Sequence, residues 1–351
     1  MADVQFIDAA LADVARRFTE FAVHCEGVAP LYAMLAPYIA DDPELLALAA
    51  QTQPGQPPPN MLFAAVHDLL LRAPEQRLAA YYPTVGGSRA PDTALLALFR
   101  VFCLDRAAEI LPLLRTRLTQ TNEVLRSTYL LPGLATVQQL AGGRPLALIE
   151  LGPSAGLNLN LDRYGYRYSN GMRCGDPEAP VQLVTELRGP VVPPIPAAPP
   201  DIIWRIGVDL NPVDLADPAA RRWLEALIWP EHVERRERLR AAMEMARIFP
   251  PPLVRGDLLE WLPQLIAQAP PDAVLCIVHT HVLYQLSPEL RTQVHALLAV
   301  AAQHRPIYRL SSEHDGALLP DLKLICYRND SQQIRVLAHT TGHAHWIEWL
   351  G

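Results

Sequence analysis

The 351-residue sequence has no apolar run long enough to span a bilayer. Its first residues, MADVQFIDAALADVARR, lack the basic-then-apolar pattern of a secretory leader. Cysteine is scarce: Cys25, Cys103, Cys174, Cys276 and Cys326 are odd in number and far apart, with no CxxC or zinc-knuckle spacing. Neither a disulfide framework nor a structural zinc site is therefore expected. A reducing, cytoplasmic setting without a membrane partner is the expectation. Positive charge is also in deficit. A net charge of −7 disfavours nonspecific binding to a phosphate backbone, so no nucleic-acid partner is expected. The clearest basic stretch, Arg235, Arg236, Arg238 and Arg240, is interleaved with glutamates and reads as a solvated helix face. Apolar material is plentiful instead. At 50% hydrophobic against 19% charged, the chain can build a real core.

The pattern is helical from about Ala9 to Ala141. Asp42-Pro43-Glu44 and Pro91-Asp92 are helix starts, and a further helix covers Thr121–Gln139, kinked or broken at Pro132-Gly133. After Gly142-Gly143 the pattern becomes strands alternating with helices. Strands are expected at Pro145–Leu151, Ile202–Val208, Pro252–Arg255, Ala273–Val278, Pro306–Leu310, Leu322–Tyr327 and Gln333–His339. The intervening helices are Gly156–Tyr164, Pro218–Ala246, Leu258–Gln268 and Pro288–His304. This implies a helical domain over 1–141 and an α/β domain over 142–351 with a doubly wound, mostly parallel sheet. The last two strands, joined by a turn at Asn329-Asp330, read as an antiparallel edge hairpin. Residues at about 167–200, with Cys174-Gly175-Asp176-Pro177 and a proline-rich tail, form an insertion, part hairpin and part linker.

Three acids close successive strands. The first strand ends at Glu150-Leu151 and runs into Gly152-Pro153-Ser154-Ala155-Gly156, a small-residue turn into a helix start. Glu150 works against a pyrophosphate there and suits a ligand with a cationic centre, such as an ammonium or sulfonium. An ordinary tight turn would look the same. Asp209 ends the next strand, where a carboxylate can accept ribose hydroxyls or simply cap. Asp257 follows Arg255-Gly256 and either caps the next helix or accepts an adenine amine. Together the three favour a nucleoside with a cationic arm, or a divalent metal.

This order of segments resembles class I S-adenosylmethionine-dependent methyltransferases over about residues 120–351, with a Rossmann-like sheet. Glu150–Gly156 is similar to that family's ExGxGxG motif, with Ser154 for the middle glycine. Gly207–Pro212 is similar to its second motif, and Arg255–Leu258 to its third. The resemblance implies S-adenosylmethionine as cofactor, with Glu150, Gly152, Ser154 and Gly156 around the turn. It also implies Asp209 on the ribose, and Asp257 with the Leu258 amide at the adenine. Asn122 and Glu123, opening the helix before the first strand, either contact the methionine end or start the helix. Asp209 lies 53 positions after Gly156, against about 20 in the dinucleotide-binding pattern. Either the insertion covers the site as a lid, or the fold persists without the cofactor. The whole chain also resembles a bacterial family known as domain of unknown function 2332. That likeness rests on Thr121-Asn122-Glu123, the glycine turn, Val208–Asp214, Trp223–Leu227, Arg255-Gly256-Asp257 and His279–Tyr284, and implies no established activity.

Chemistry is expected near His279-Thr280-His281-Val282-Leu283-Tyr284. In an extended chain both histidines point to one face, where one can act as a general base. Tyr284 could orient a substrate and Glu313 assist; equally, these residues could only tie loops together. A second pair, His343 and His345, lies near His339. Both pairs with Glu313 or His314 could hold a metal. The expected activity is methyl transfer to a small molecule, with the helical domain closing the substrate side. The alternatives are a metal-dependent hydrolase and a non-catalytic ligand-binding relative of the fold.

Overall fold

The computed structural model describes residues 2–313, 316, 319–328 and 331–351. Its helices are α1 (Ala2–Cys25), α2 (Pro30–Ala40), α3 (Pro43–Ala49), α4 (Pro58–Arg72), α5 (Thr93–Asp105), α6 (Ala107–Thr116), α7 (Ser127–Leu140), α8 (Pro218–Ala226), α9 (Val233–Ile248), α10 (Leu258–Gln268) and α11 (Pro288–Ala301). Its strands are β1 (Leu146–Leu151), β2 (Gly165–Tyr168), β3 (Arg173–Cys174), β4 (Gln182–Arg188), β5 (Ile202–Asp209), β6 (Leu253–Arg255), β7 (Val274–Thr280), β8 (Ile307–Glu313), β9 (Asp321–Arg328), β10 (Ser331–Thr340) and β11 (Trp346–Trp349). The chain divides into two compact units, one running up to Thr121 together with Asp217–Arg240, the other made of Asn122–Ala216 and Ala241–Gly351. This differs from a boundary at residue 141. Helix α7 groups with the sheet, and α8 returns to the helices.

The sheet unit carries the strands in the order β3-β2-β4-β11-β10-β9-β8-β7-β1-β5-β6. The run β6-β5-β1-β7-β8 is parallel throughout. From β8 to β11 the strands meander antiparallel. The inserted segment adds sheet rather than standing apart: β2 and β3 form a hairpin, and β4 pairs parallel with both β2 and β11. Strand β11 has no counterpart among the expected strands, and the turn expected at Asn329-Asp330 lies outside the described residues.

Parallel strands buried on both faces need apolar side chains on both, and β1, β7 and β8 are buried at every position. Neighbouring residues in register share a face. Glu150, Val278 and Leu310 therefore lie on one face with Thr280 and Ser312, while His279, Ser311 and Glu313 lie on the other. Helix α7 covers the first face. A side chain at Gly133 would meet Leu310 at 3.1 Å, which explains the glycine in mid-helix. Pro132 sits inside α7 without ending it, so the helix is not broken there. The opposite face packs Ile149, Leu151, Leu275, Ile277 and Ile307 with Leu262 and Leu265 of α10 and Val294 and Leu298 of α11.

The helical unit follows its start signals. Asp42 accepts the amides of Glu44 and Leu45, and Asp92 those of Ala94 and Leu95. The expected helix Pro218–Ala246 is two helices, α8 and α9; the interruption contains Pro230, which has no amide to continue the ladder. An aromatic cluster holds the core, with Tyr32 stacked on Phe63 at 4.0 Å and Phe18 and Phe99 against the same ring. Beside this core Asp68, 1% exposed, is paired with Arg72 and with Arg222 at 2.8 Å. Asp68→Asn leaves both guanidinium groups without their counter-charge. Urea unfolding should show a loss of about 2–3 kcal/mol; an unchanged midpoint would show that the pair contributes nothing.

Candidate functional site

The carboxyl ends of the parallel strands gather the polar residues of the sheet unit. After β1 the chain turns through three left-handed residues: Gly152 (φ 63°), Ser154 (φ 55°) and Gly156 (φ 70°). Serine pays a steric penalty in this region that glycine does not. Three hydrogen bonds offset it. The Ser154 amide donates to Asp209 Oδ2 (2.8 Å), its carbonyl accepts from Val213 (3.0 Å), and its hydroxyl accepts from Asn122 Nδ2 (3.0 Å). Asn122 Oδ1 also accepts the Ala155 amide at 3.1 Å. The Gly152 and Gly156 amides donate to Val208 and Pro153 carbonyls. The amides from Gly152 to Gly156 that an anion could use are thus engaged by the protein. Behind the turn, within the helical stretch expected over Gly156–Tyr164, stands a 3₁₀ helix, Leu157–Arg163.

The two other strand-end acids are similarly occupied. Asp209 Oδ1 accepts the Asn211 amide (2.7 Å), so its carboxylate bridges its own loop and the glycine turn. Asp257 is exposed and caps α10 by accepting the Leu259 amide (2.7 Å). A ribose would have to share the Asp209 oxygens, each of which has a second lone pair, whereas the Asp257 bond uses Oδ1 alone. Leu258 is the first residue of α10.

Glu150 behaves differently. It is 4% exposed on the α7 face. Its Oε1 accepts from Asn158 Nδ2 (3.2 Å), and Ser127 at the start of α7 donates to Asn158 Oδ1 (3.1 Å). Among the described residues Oε2 has no hydrogen-bond partner. Burial pushes the carboxyl up to about 7, opposed by the Asn158 hydrogen bond and supported by the nearby Asp209 charge. Close to it sequence reasoning missed a residue, Arg126. Its Nε donates to the Gly342 carbonyl (3.1 Å) and its Nη1 to Thr280 Oγ1 (3.2 Å), so it ties the end of β7 to the loop before β11. A lone arginine inside Val124–Leu131, otherwise apolar or small, was the available signal. Glu123, also buried, accepts the Leu125 amide and has Oε2 3.5 Å from Nδ1 of His343, itself 41% exposed.

The histidine expectations resolve onto the opposite face. His279 is fully buried, and its Nδ1 lies 2.6 Å from Glu313 Oε1. Glu313 also accepts the amides of Val282, Leu283 and Tyr284, at 3.1–3.2 Å. Burial raises its carboxyl, but His279 and these amides outweigh that and bring it down to about 2. His281 is not extended: it adopts φ 56°, its amide donates to Ser312, and its ring meets Tyr284 edge-on, so the two histidines do not alternate along one strand face. Tyr284 is exposed. Val282 fills the space over Gly152, where a Cβ would meet it at 2.6 Å. Glu150 and the His279–Glu313 pair are therefore separated by the sheet.

His343 and His345 sit in the turn before β11 with rings 5.9 Å apart, and His339 pairs with Asp321 at 2.7 Å. Among the described residues no three His, Cys, Asp or Glu side chains converge as metal ligands. His314 lies outside the described residues. No described helix is long and apolar enough to cross a membrane.

A family model described as "uncharacterized protein conserved in bacteria", domain of unknown function 2332, matches residues 15–349. The chain belongs to this family. No curated protein and no solved structure matches it.

Two substitutions test this geometry. The folded chain keeps Glu150 protonated to about pH 7, whereas the unfolded chain releases that proton near 4.5. Stability should therefore fall as pH rises through that window, by roughly 3 kcal/mol from this group. Glu150→Gln removes the loss, so its advantage over wild type should grow with pH in denaturant titrations; a constant difference would show that the carboxyl is not held in its neutral form. Glu313→Gln replaces one accepting oxygen by a donor facing amides. Thermal melts near neutral pH should show destabilisation of about 2–4 kcal/mol, and a variant as stable as wild type would contradict the anchoring role.

Proposed function

We propose that the chain binds a nucleoside with a cationic arm, best matched by S-adenosylmethionine, and transfers its methyl group to a small-molecule acceptor. Glu150 carries this reading: a buried carboxyl at the end of β1, one of whose oxygens has no partner among the described residues. The parallel strands β6-β5-β1-β7-β8 follow the order 3-2-1-4-5 of Rossmann-like sheets, and β1 and β7 flank the point where that order reverses. In such sheets ligands bind beyond the carboxyl ends of the strands at that point. The engaged amides of the turn speak against a phosphate group there and leave a cation as the better fit.

The residues divide the work as follows. Glu150 would face the ligand's positive charge, which would drive its carboxyl into the ionised form. Asn122, Ser154 and Asp209 keep the turn in its left-handed shape, and Asp209 keeps lone pairs for ribose hydroxyls. Asp257 and the Leu258 amide stand at the end of β6. S-adenosylmethionine, when bound, supplies an electrophilic methyl group. Positioning and a weak base suffice for such a transfer. His281 and Tyr284, on the loop that Glu313 anchors, are the partly exposed groups for that role, while His279 acts through Glu313.

A ligand-binding role without turnover is the second reading, favoured by Val282 filling the space over Gly152. The metal-dependent hydrolase has no converging ligand set among the described residues to support it.

Calorimetric titration with S-adenosylhomocysteine tests the cofactor. Wild type should bind with Kd on the order of 1–100 μM, or about 5–8 kcal/mol, and Glu150→Gln roughly tenfold more weakly. Absence of heat with wild type would overturn the assignment. Binding without methyl transfer to any small acceptor would select the second reading.

A further inference from the structure

His343 combines exposure with a buried acid behind it. Its side chain is 41% exposed, and the Glu123 side chain whose Oε2 lies 3.5 Å from its Nδ1 is 1% exposed. Glu123 Oε1 accepts the Leu125 amide, which fixes the carboxylate and turns Oε2 to the ring. Other paired histidines at this edge differ. His279 lies against Glu313 but is fully buried. His339 and Asp321 are in register with Glu313 and share its face, away from Glu150. His343 belongs to the α7 side. Its neighbour Gly342 accepts from Arg126, which also donates to Thr280 on the Glu150 face. Asn122, next to Glu123 in the chain, holds Ser154 and Ala155 of the glycine turn. Two adjacent residues thus brace that turn and the histidine.

The turn carrying His343 is held in a strained shape. Ala344 adopts φ 55°, and the other left-handed non-glycine residues among those described are Ser154 and His281, at the same edge. The Ala344 amide donates to the Thr341 carbonyl (2.9 Å), and its carbonyl accepts from Thr185 Oγ1 (2.9 Å). The His345 amide donates to Thr341 Oγ1 (3.1 Å). Backbone strain that surrounding contacts enforce clusters at functional sites.

We infer that Glu123 and His343 form a proton-accepting dyad, the buried carboxylate holding a proton on Nδ1 so that Nε2 takes one from an O–H or N–H group of the substrate. A base oriented by an acid behind it is a recurrent catalytic arrangement. The O–H or N–H bond breaks, the proton goes to Nε2, and the electron pair stays on the oxygen or nitrogen. Glu123 then carries the counter-charge of the imidazolium. His343 touches the substrate, and Glu123 is a positioning residue. Catalytic hydrogen bonds are often long until substrate tightens them, which suits the 3.5 Å separation. The dyad adds to His281 and Tyr284 a second proton acceptor, with a carboxylate behind it. It narrows the acceptor of the proposed methyl transfer to a hydroxyl or amine that must lose a proton; a carboxylate needs no such group. It rests on that proposal only for what the deprotonated atom attacks.

Nitrogen NMR of the full chain labelled at histidine reads the tautomer at about pH 8.5, where an ordinary imidazole is neutral. Wild type should carry the His343 proton on Nδ1. In Glu123→Gln the amide oxygen keeps the Leu125 bond and the NH2 group faces the ring, so the proton should move to Nε2. Glu123→Asp keeps an oxygen for the cap but falls one methylene short of the ring; it serves if the glutamine variant does not fold, and should lose the fixed Nδ1 proton. Carbethoxylation of His343 by diethylpyrocarbonate, located by mass spectrometry, should be at least roughly tenfold slower in either variant, about the worth of a charge-assisted hydrogen bond. Phenol should shift the wild-type Nε2 resonance, and benzoate, which has no proton to give, should not. A proton on Nε2 in wild type, or equal carbethoxylation in wild type and variants, would overturn the dyad. No response to phenol, or an equal response to benzoate, would overturn the substrate class. None of these measurements uses the cofactor. Loss of the dyad therefore leaves the S-adenosylmethionine reading standing, and absence of heat with S-adenosylhomocysteine leaves the dyad as the base of another reaction.

Discussion

Burying the carboxyl ends of β1, β7 and β8 leaves loop amides and carbonyls where water has little access, and each must find a partner inside the protein. That requirement governs the polar architecture of the sheet unit. Glu313 gathers three successive amides, Arg126 takes carbonyls from two loops, and Asn122 and Asp209 take the amides of the glycine turn. Each is a short-range answer to the same problem. Their combined effect is to hold five loop segments from different parts of the chain in one arrangement at one edge of the sheet.

This changes how the acids should be weighed. Acidic residues at strand ends invite a ligand interpretation, yet Asp257 caps a helix, Asp209 holds a turn and Glu313 anchors a loop. Each has a structural occupation sufficient to account for it. Glu150 has much less: among the described residues it has one side-chain hydrogen bond, no backbone partner and a buried oxygen left over. The distinction between an acid serving the fold and one in excess of its needs rests on hydrogen-bond accounting, and it singles out the residue with the strongest claim to an external partner.

Much of the fold was legible. Continuous apolar runs such as Leu146–Ile149 and Val274–Val278 mark strands covered on both sides, and Asp42 and Asp92 mark helix starts by a local mechanism. What escaped was non-local. Strand β11 is four residues with polar Glu348 among aromatics, too short to carry a period. Pro132 looks like a break but is tolerated in α7, where the packing of Gly133 on β8 supports the helix. At the site, the strand-end position of Glu150, Asp209 and Asp257 could be read from punctuation. The separation of Glu150 from His279 could not, because it depends on the register between β1 and β7. Arg126 escaped for the same reason: its partners are 154 and 216 positions away.

Strand β11 also sets the order in which the sheet can be completed. It lies between β10 and β4, so among the described residues the three-stranded block formed by the insertion joins the rest of the sheet through it. Glu186 meets Trp346 across that seam, 160 residues later in the chain. During synthesis the block emerges well before β11 and keeps an open strand edge until β11 follows. Such delayed pairing carries a loop-closure cost and exposes an edge to foreign strands. The two charged residues on β4 at that edge, Glu186 and Arg188, are joined to each other at 2.9 Å in the finished protein. On the nascent chain the same charges would discourage an intruding strand until the native partner appears.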